Sequence, residues 1–365
     1  MNPTSQTSHL CQVSGALREH QASTSARRPH GASVVGIVRQ MMAIMLLFWL
    51  CPLPSTAQQL KFGADGKFKI LQFTDLHYIL DDPKADVALQ CIDELIASEK
   101  PDLVVSTGDN VWGRPGLPAM QRIVDHIDKF KVPFVILFGN HDSHEGGVSN
   151  EALYDLVRKA RHQVMPDRGK RPSPDYVLPV AAHDGSRTAA WIYCLDSHSY
   201  PALKDVGTYD WIHFSQIAWY RRTSDSLRVS AGGKVLPALL FQHIPLPEYT
   251  QAATALDNVI TGTRMERECA PDLNSGLFLA MKEAGDVMGM FVGHDHDNDY
   301  TTLWHGILLG YGRYSGGDNV YNHLHPNGAR VIILKEGQRS FDTYIHLRGG
   351  AILHRTTYPD NYVKE

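Results

Sequence analysis

Cysteine is scarce in this 365-residue chain: there are five, and only Cys91, Cys194 and Cys269 lie beyond residue 57. An odd trio with no metal-knuckle spacing excludes a disulfide scaffold and a thiolate metal site. Cys91 falls in a helical pattern and Cys194 in an apolar strand, so both read as small core hydrophobes. Strong charge of either sign is also missing. Thirty-five Lys and Arg stand against 39 Asp and Glu, for a net charge of −4 and a pI near 6.5. That balance argues against a nucleic acid as structural partner and against a polybasic membrane surface. Charge runs, low-complexity tracts and repeats of solenoid or propeller period are absent. No apolar run reaches the roughly 18 residues of a membrane-spanning helix.

What is present divides at residue 57. Residues 1–40 are polar and aperiodic, and read as a disordered lead or as an extension upstream of a start at Met41 or Met42. Arg39 then precedes the apolar run from Met41 to Cys51, which is followed by Pro52, Pro54 and Ser55-Thr56-Ala57. A basic flank, a short apolar stretch and Ser-x-Ala make an export signal over 41–57, with cleavage expected after Ala57. The mature chain is then periplasmic or extracellular. Leu50 stands before Cys51 where a lipoprotein signal needs a small residue, so no stable membrane anchor is expected. Residues 58–365 contain no Pro/Ser linker across 62–350 and read as a single domain.

That domain begins with a β-α-β-α-β rhythm. Phe68–Phe73, Leu103–Val105 and Pro133–Phe138 are continuous apolar strands. Between them run helices with Ala88, Cys91, Ile92, Leu95 and Ile96 on one face, and Met120, Ile123, Val124 and Ile127 on another. Such strands belong to a sheet covered by helices on both faces, with the ligand site beyond the strands' carboxyl ends. Strands at 176–182, 189–195, 235–241 and 287–292 start a second sheet, giving an α/β fold of two packed sheets. Helices are expected at 151–161, in the second half of 209–222 and at 277–283. The segment 246–270 has little periodicity. Further strands are expected at 329–335 and 341–347.

Each strand end delivers a polar group. Asp75-Leu76-His77, Gly108-Asp109, Gly139-Asn140-His141-Asp142, His243 and Gly293-His294-Asp295-His296 all follow apolar runs. The candidate ligands are Asp75, His77, Asp109, Asn140, His243, His294 and His296. Mixed carboxylate, imidazole and amide donors suit zinc, manganese or iron. Seven exceed one tetrahedral site and fit a pair of cations sharing one carboxylate. His294 and His296 would face opposite ways at strand spacing, so the backbone must turn, a freedom that Gly293 supplies.

These blocks, in this order, resemble the calcineurin-like metallophosphoesterases over roughly residues 66–335. The pieces Tyr209-Asp210-Trp211-Ile212, Gln216-Ile217 and Trp219-Tyr220 resemble the single-domain branch similar to purple acid phosphatases. The resemblance implies a four-layer α/β-β/α sandwich of two mixed sheets. It implies two divalent or mixed-valence ions, one held by Asp75, His77, Asp109 and His296, the other by Asp109, Asn140, His243 and His294. Asp109 would bridge them. Purple enzymes carry Tyr three residues after the bridging Asp, where this chain has Trp112, so the tyrosinate colour is not expected.

The expected activity is hydrolysis of a small phosphorylated substrate, a phosphate monoester, by water activated between the two ions. A diesterase or nucleotidase, or a catalytically idle metal-binding scaffold, are the alternatives. His141 is expected to reach over the site, with Asp142 holding its imidazole. Arg313 is expected either to clamp a phosphate or to form a structural salt bridge.

Overall fold

The computed structural model describes residues 59–171 and 173–362. The expected lead and leader lie outside the described residues. The first sheet is assembled by β1 (Lys67–Phe73), α1 (Asp86–Glu99), β2 (Leu103–Thr107), α2 (Gly116–Asp128) and β3 (Phe134–Leu137). α1 forms where apolar residues recur at helical spacing, and it buries that face. It ends at Lys100, which is left-handed (φ 48°) and returns its N–H to the Ile96 carbonyl, and Pro101 prevents continuation. Two short helices follow, α3 (Asn140–His144) and α4 (Asn150–Val157).

The second sheet begins with β4 (Tyr176–Ala181) and β5 (Thr188–Cys194). It continues through α5 (Phe214–Ser230), β6 (Ala238–Phe241), α6 (Pro247–Thr254), β7 (Ile260–Thr261) and α7 (Leu277–Ala284). β8 (Val287–Val292), β9 (Thr301–Trp304) and β10 (Ile307–Tyr311) complete it. The chain then returns to the first sheet with β11 (Gly328–Lys335), β12 (Phe341–Leu347) and β13 (Ile352–Tyr358).

The strand orders are β13-β12-β11-β1-β2-β3 and β4-β5-β6-β8-β10-β9-β7. β1, β2 and β3 run parallel, as do β5, β6, β8 and β10, and the outer strands are antiparallel. The α/β sandwich of two packed mixed sheets is therefore the observed architecture. Alternation, shifted by one residue where β8 bulges between Val287 and Gly289, explains the layering. Leu239 and Phe241 of β6, with Met288 and Phe291 of β8, join the core shared with the first sheet. Their neighbours Leu240, Met290 and Val292 pack with Leu277 and Met281 of α7 and Tyr220 of α5. Phe291 meets Phe341 of β12 edge-on across the sandwich.

Cys91 and Cys194 are buried and Cys269 is exposed. α4 stops at Val157, four residues earlier than its periodicity suggests. α6, β7, β9 and β13 were not expected. β7 and β9 are too short for a period to register, and the Pro-led α6 is only weakly amphipathic. β13 is an edge strand in which Ile352 is exposed, so its apolar pattern is diluted.

Candidate metal centre

The parallel strands of both sheets end at one place. Asp75 and His77 follow β1, Asp109 follows β2, Asn140 opens α3 after β3, His243 follows β6, and His294 and His296 follow β8. All seven are buried. Four of them, Asp75 (φ 52°), His77 (φ 42°), Asp109 (φ 50°) and His294 (φ 80°), hold left-handed backbone, which non-glycine residues rarely adopt. Strain of this kind persists only where the surrounding fold over-determines it. At the last turn the left-handed residue is His294 rather than Gly293. Gly293 is needed for space, because a Cβ there would overlap the Thr74 hydroxyl and lie 2.7 Å from Asp75 Oδ2.

The side chains gather as two groups, Asp75 with His77 and His296, and Asp109 with His243 and His294. In the first, His77 Nε2 and His296 Nε2 are 2.9 Å apart, and Asp75 Oδ1 lies 3.9 and 3.7 Å from them. In the second, His243 Nε2 lies 3.1 Å from Asp109 Oδ2 and 3.3 Å from His294 Nδ1. Asp109 stands between the groups, since the same Oδ2 is 3.8 Å from His77 Nε2. The groups are stitched across the sandwich, as the His294 N–H donates to both Asp75 oxygens and Gln72 donates to the Val292 carbonyl.

This donor set fits cations. His243 Nδ1 donates to the Thr107 carbonyl and His296 Nδ1 to the Tyr321 carbonyl, each at 2.8 Å. Each bond fixes a proton on Nδ1 and turns Nε2 inward, toward carboxylates and other rings. Among the described residues Asn140 Oδ1, His77 Nδ1 and His294 Nε2 are buried without a partner, and buried polar atoms are normally paired. Burial pushes His296 down to about 4 and holds His77 and His294 well below the ordinary imidazole range, so these rings are neutral, the ligating form. Burial, with the Asp109 carboxylate adding, pushes Asp75 up to about 7 against the pull of His243. Burial also works against charge on Asp109 and His243, but their mutual attraction prevails. Asp109 is held well below the usual carboxylate range, and His243 rises to about 9. Asp109 and His243 thus balance each other's charge in this dry space, beside three neutral rings.

A model of the calcineurin-like phosphoesterase family matches residues 68–298. The chain belongs to this family. An Arabidopsis thaliana relative named "probable inactive purple acid phosphatase 14" is 32% identical over 331 residues, 81% of this chain and 80% of its own. A Saccharomyces cerevisiae protein named a phosphatase is 29% identical, over 68% of this chain and 47% of its own length. Among solved structures, a dimetal phosphatase from Danio rerio shares the fold, with a TM-score of 0.55 at 13% identity over 80% of this chain and 98% of that one.

All seven candidate ligands of this calcineurin-like chain fall within the matched span. His141 lies beside them: its N–H donates to Asp109 Oδ1, and its ring is half-buried with Nε2 3.9 Å from Asp109 Oδ2. Burial lowers its pKa, against the pull of Asp109.

Two expectations are corrected. Asp142 does not hold His141. Its carboxylate accepts the N–H groups of Gly139, Asn110 and Val111 and the Asn110 amide, pinning the ends of β2 and β3 together. His141 Nδ1 is left without a partner, 3.9 Å from Glu145 Oε1. Arg313 is no phosphate clamp. It is buried, pairs with Asp299 Oδ2 at 2.7 Å, and donates to the Pro326 carbonyl.

Other contributors were not foreseen. Asp295, between the two histidines, accepts the Tyr311 hydroxyl at 2.6 Å and the Cys269 N–H, anchoring the turn. Trp112 packs against the rings of His77 and His141. The tryptophan was visible only as a departure from the purple pattern, and the role of Asp295 only as a carboxylate between ligands.

Proposed function

We propose that the protein is an exported phosphomonoesterase acting through two cations. The observation that carries the reading is the pair of buried donor groups meeting at Asp109 beneath the half-exposed His141. Asp75, His77 and His296 would hold one cation, Asn140, His243 and His294 the other, and Asp109 both. Iron, manganese and zinc all suit these donors. When bound, such a pair supplies Lewis-acid neutralisation of phosphate oxygens and lowers the pKa of water.

The chain's own residues do the rest. The Thr107 and Tyr321 carbonyls keep two imidazoles in the ligating tautomer. Asp142 holds the loops that present Asp109 and Asn140 in fixed relation. His141 Nε2, facing the same space, stabilises charge developing on the phosphoryl group or delivers a proton to the departing oxygen. In the hydrolysis water adds to phosphorus, the bond to the leaving oxygen breaks, and that oxygen departs with the electron pair.

A second reading, an idle metal-binding scaffold, is favoured by the word "inactive" in the plant relative's name. Against it stand the complete donor groups and His141 in this chain. The test is the mature chain loaded with each metal and assayed on a monoester, a diester and a nucleotide panel, with and without chelator. Chelator-sensitive monoester turnover supports the phosphatase. Turnover on the diester or nucleotides alone moves the activity to those classes. Fully metallated but inert protein establishes the scaffold.

A further inference from the structure

The rim of the centre is aromatic. Tyr321 stacks on the ligand His296, with ring centroids 4.3 Å apart and planes 18° apart, while 53% of the residue stays exposed. On the other side Tyr209 meets His294 edge-on at 4.5 Å, and Tyr200 lies against Tyr209. Tyr200 is 42% exposed, and its hydroxyl is 3.4 Å from the Asn140 amide. Trp112, half-buried beside His141, closes the third side.

Among the described residues only histidines lie within ion-pair distance of Asp75 and Asp109. Two carboxylates face the rim, Glu145 toward His141 and Glu266 accepting the Tyr321 hydroxyl, while His144 lies against Tyr200. A substrate with a second anionic group would meet these two carboxylates. A flat uncharged ring would find aromatic side chains still open to solvent, and offset or edge contacts between such rings are favourable.

Resting on the phosphomonoesterase reading, we propose that the centre selects monoesters whose leaving group is an uncharged aromatic ring, packed between Tyr321 and Tyr200. Hydrolysis then releases inorganic phosphate and a phenol, with the P–O(aryl) electron pair leaving on the phenolic oxygen.

The experiment compares kcat/KM for phenyl phosphate and for glycerol phosphate in the metal-loaded mature chain, in Tyr321→Ala, Tyr200→Ala and their combination, and in Tyr321→Phe. Metal content is measured in each. The ratio between the two substrates cancels damage common to both. It should fall about tenfold in the double alanine variant, through KM for the aryl ester, and stay near wild type in the Phe variant. An unchanged ratio overturns the proposal, because the rings then only shape the centre. If the wild type hydrolyses neither ester, the phosphatase reading fails. Ring preference is then read from calorimetric binding of phenylphosphonate against methylphosphonate. Tighter binding of the phenyl compound that weakens in the double variant supports the proposal, and equal affinities overturn it.

Discussion

Gly139 offers a one-methyl test of the centre. Its backbone (φ −107°, ψ −171°) is open to any residue, so alanine introduces no conformational strain. What it introduces is a collision. A Cβ would overlap Asp109 Oδ1 and stand 2.6 Å from both the Asp109 nitrogen and His243 Nε2. Comfortable packing needs about 3.5 Å, so the ring and the backbone must each yield by roughly 0.9 Å. Overpacking of this kind costs about 1–3 kcal/mol. In a domain of this size that lowers Tm on the order of 5 °C, so Gly139→Ala should fold. The group formed by Asp109, His243 and His294 should lose its geometry, while Asp75, His77 and His296 keep theirs. Elemental analysis should then find bound metal falling from two equivalents toward one. Turnover should drop by ~100-fold or more, as expected when reacting groups are misplaced by about 1 Å. Gly289→Ala is the control. Its Cβ would press on Phe341 at 3.0 Å in the core between the sheets, so Tm should fall with metal content intact. Two tightly held equivalents and wild-type turnover in Gly139→Ala would refute the assignment of Asp109 and His243 to one site.

Asp109→Asn should strip both ions, because a neutral amide bridges poorly, and retained stoichiometry in elemental analysis would remove the bridging role. His141→Ala should keep both ions while monoester turnover collapses by ~100-fold or more, and unchanged turnover would exclude His141 from the chemistry. The iron-loaded protein should lack a visible tyrosinate band, since Trp112 offers no oxygen, and a purple preparation would contradict this. Acid stability should depend on Glu99. Burial alone would raise its pKa, but Lys69, His346 and Tyr344 hold it below the ordinary glutamate value. Its folded value is depressed, so its contribution is present above the unfolded pKa and lost as pH falls through the folded one. Glu99→Gln should therefore lower Tm at pH 7, and its gap from wild type should close as pH falls through the depressed folded pKa. A gap independent of pH would show that shape rather than charge matters there.

The five motif blocks were legible because each follows a continuous apolar strand, where one turn residue changes the chemistry on offer. The grouping of His294 apart from His296 follows the division implied by family resemblance. The role of Asp142 was not legible and that of Arg313 stayed open between a clamp and a salt bridge, for one physical reason. Asp142 and Arg313 sit beside the motifs in sequence, but their partners, the β2-end N–H groups and Asp299, are set by tertiary packing. Gly293 was legible as necessary but for the wrong cause: proximity to Thr74 across the sandwich cannot be read from a local turn. In the fold, α6 and the edge strands β7, β9 and β13 escaped for lack of a strong period.

The split of the ligands between two sheets also orders events in time. His77 and His296 meet across 219 residues of chain, and contacts so distant form late. A chain that has built only β1, β2 and β3 presents Asp75, His77, Asp109 and Asn140 without the three imidazoles from β6 and β8. If these residues hold the proposed cations, the full donor set exists only once the two halves have docked in register. Under the two-cation proposal, metal uptake during refolding would then serve as a stopwatch for that docking.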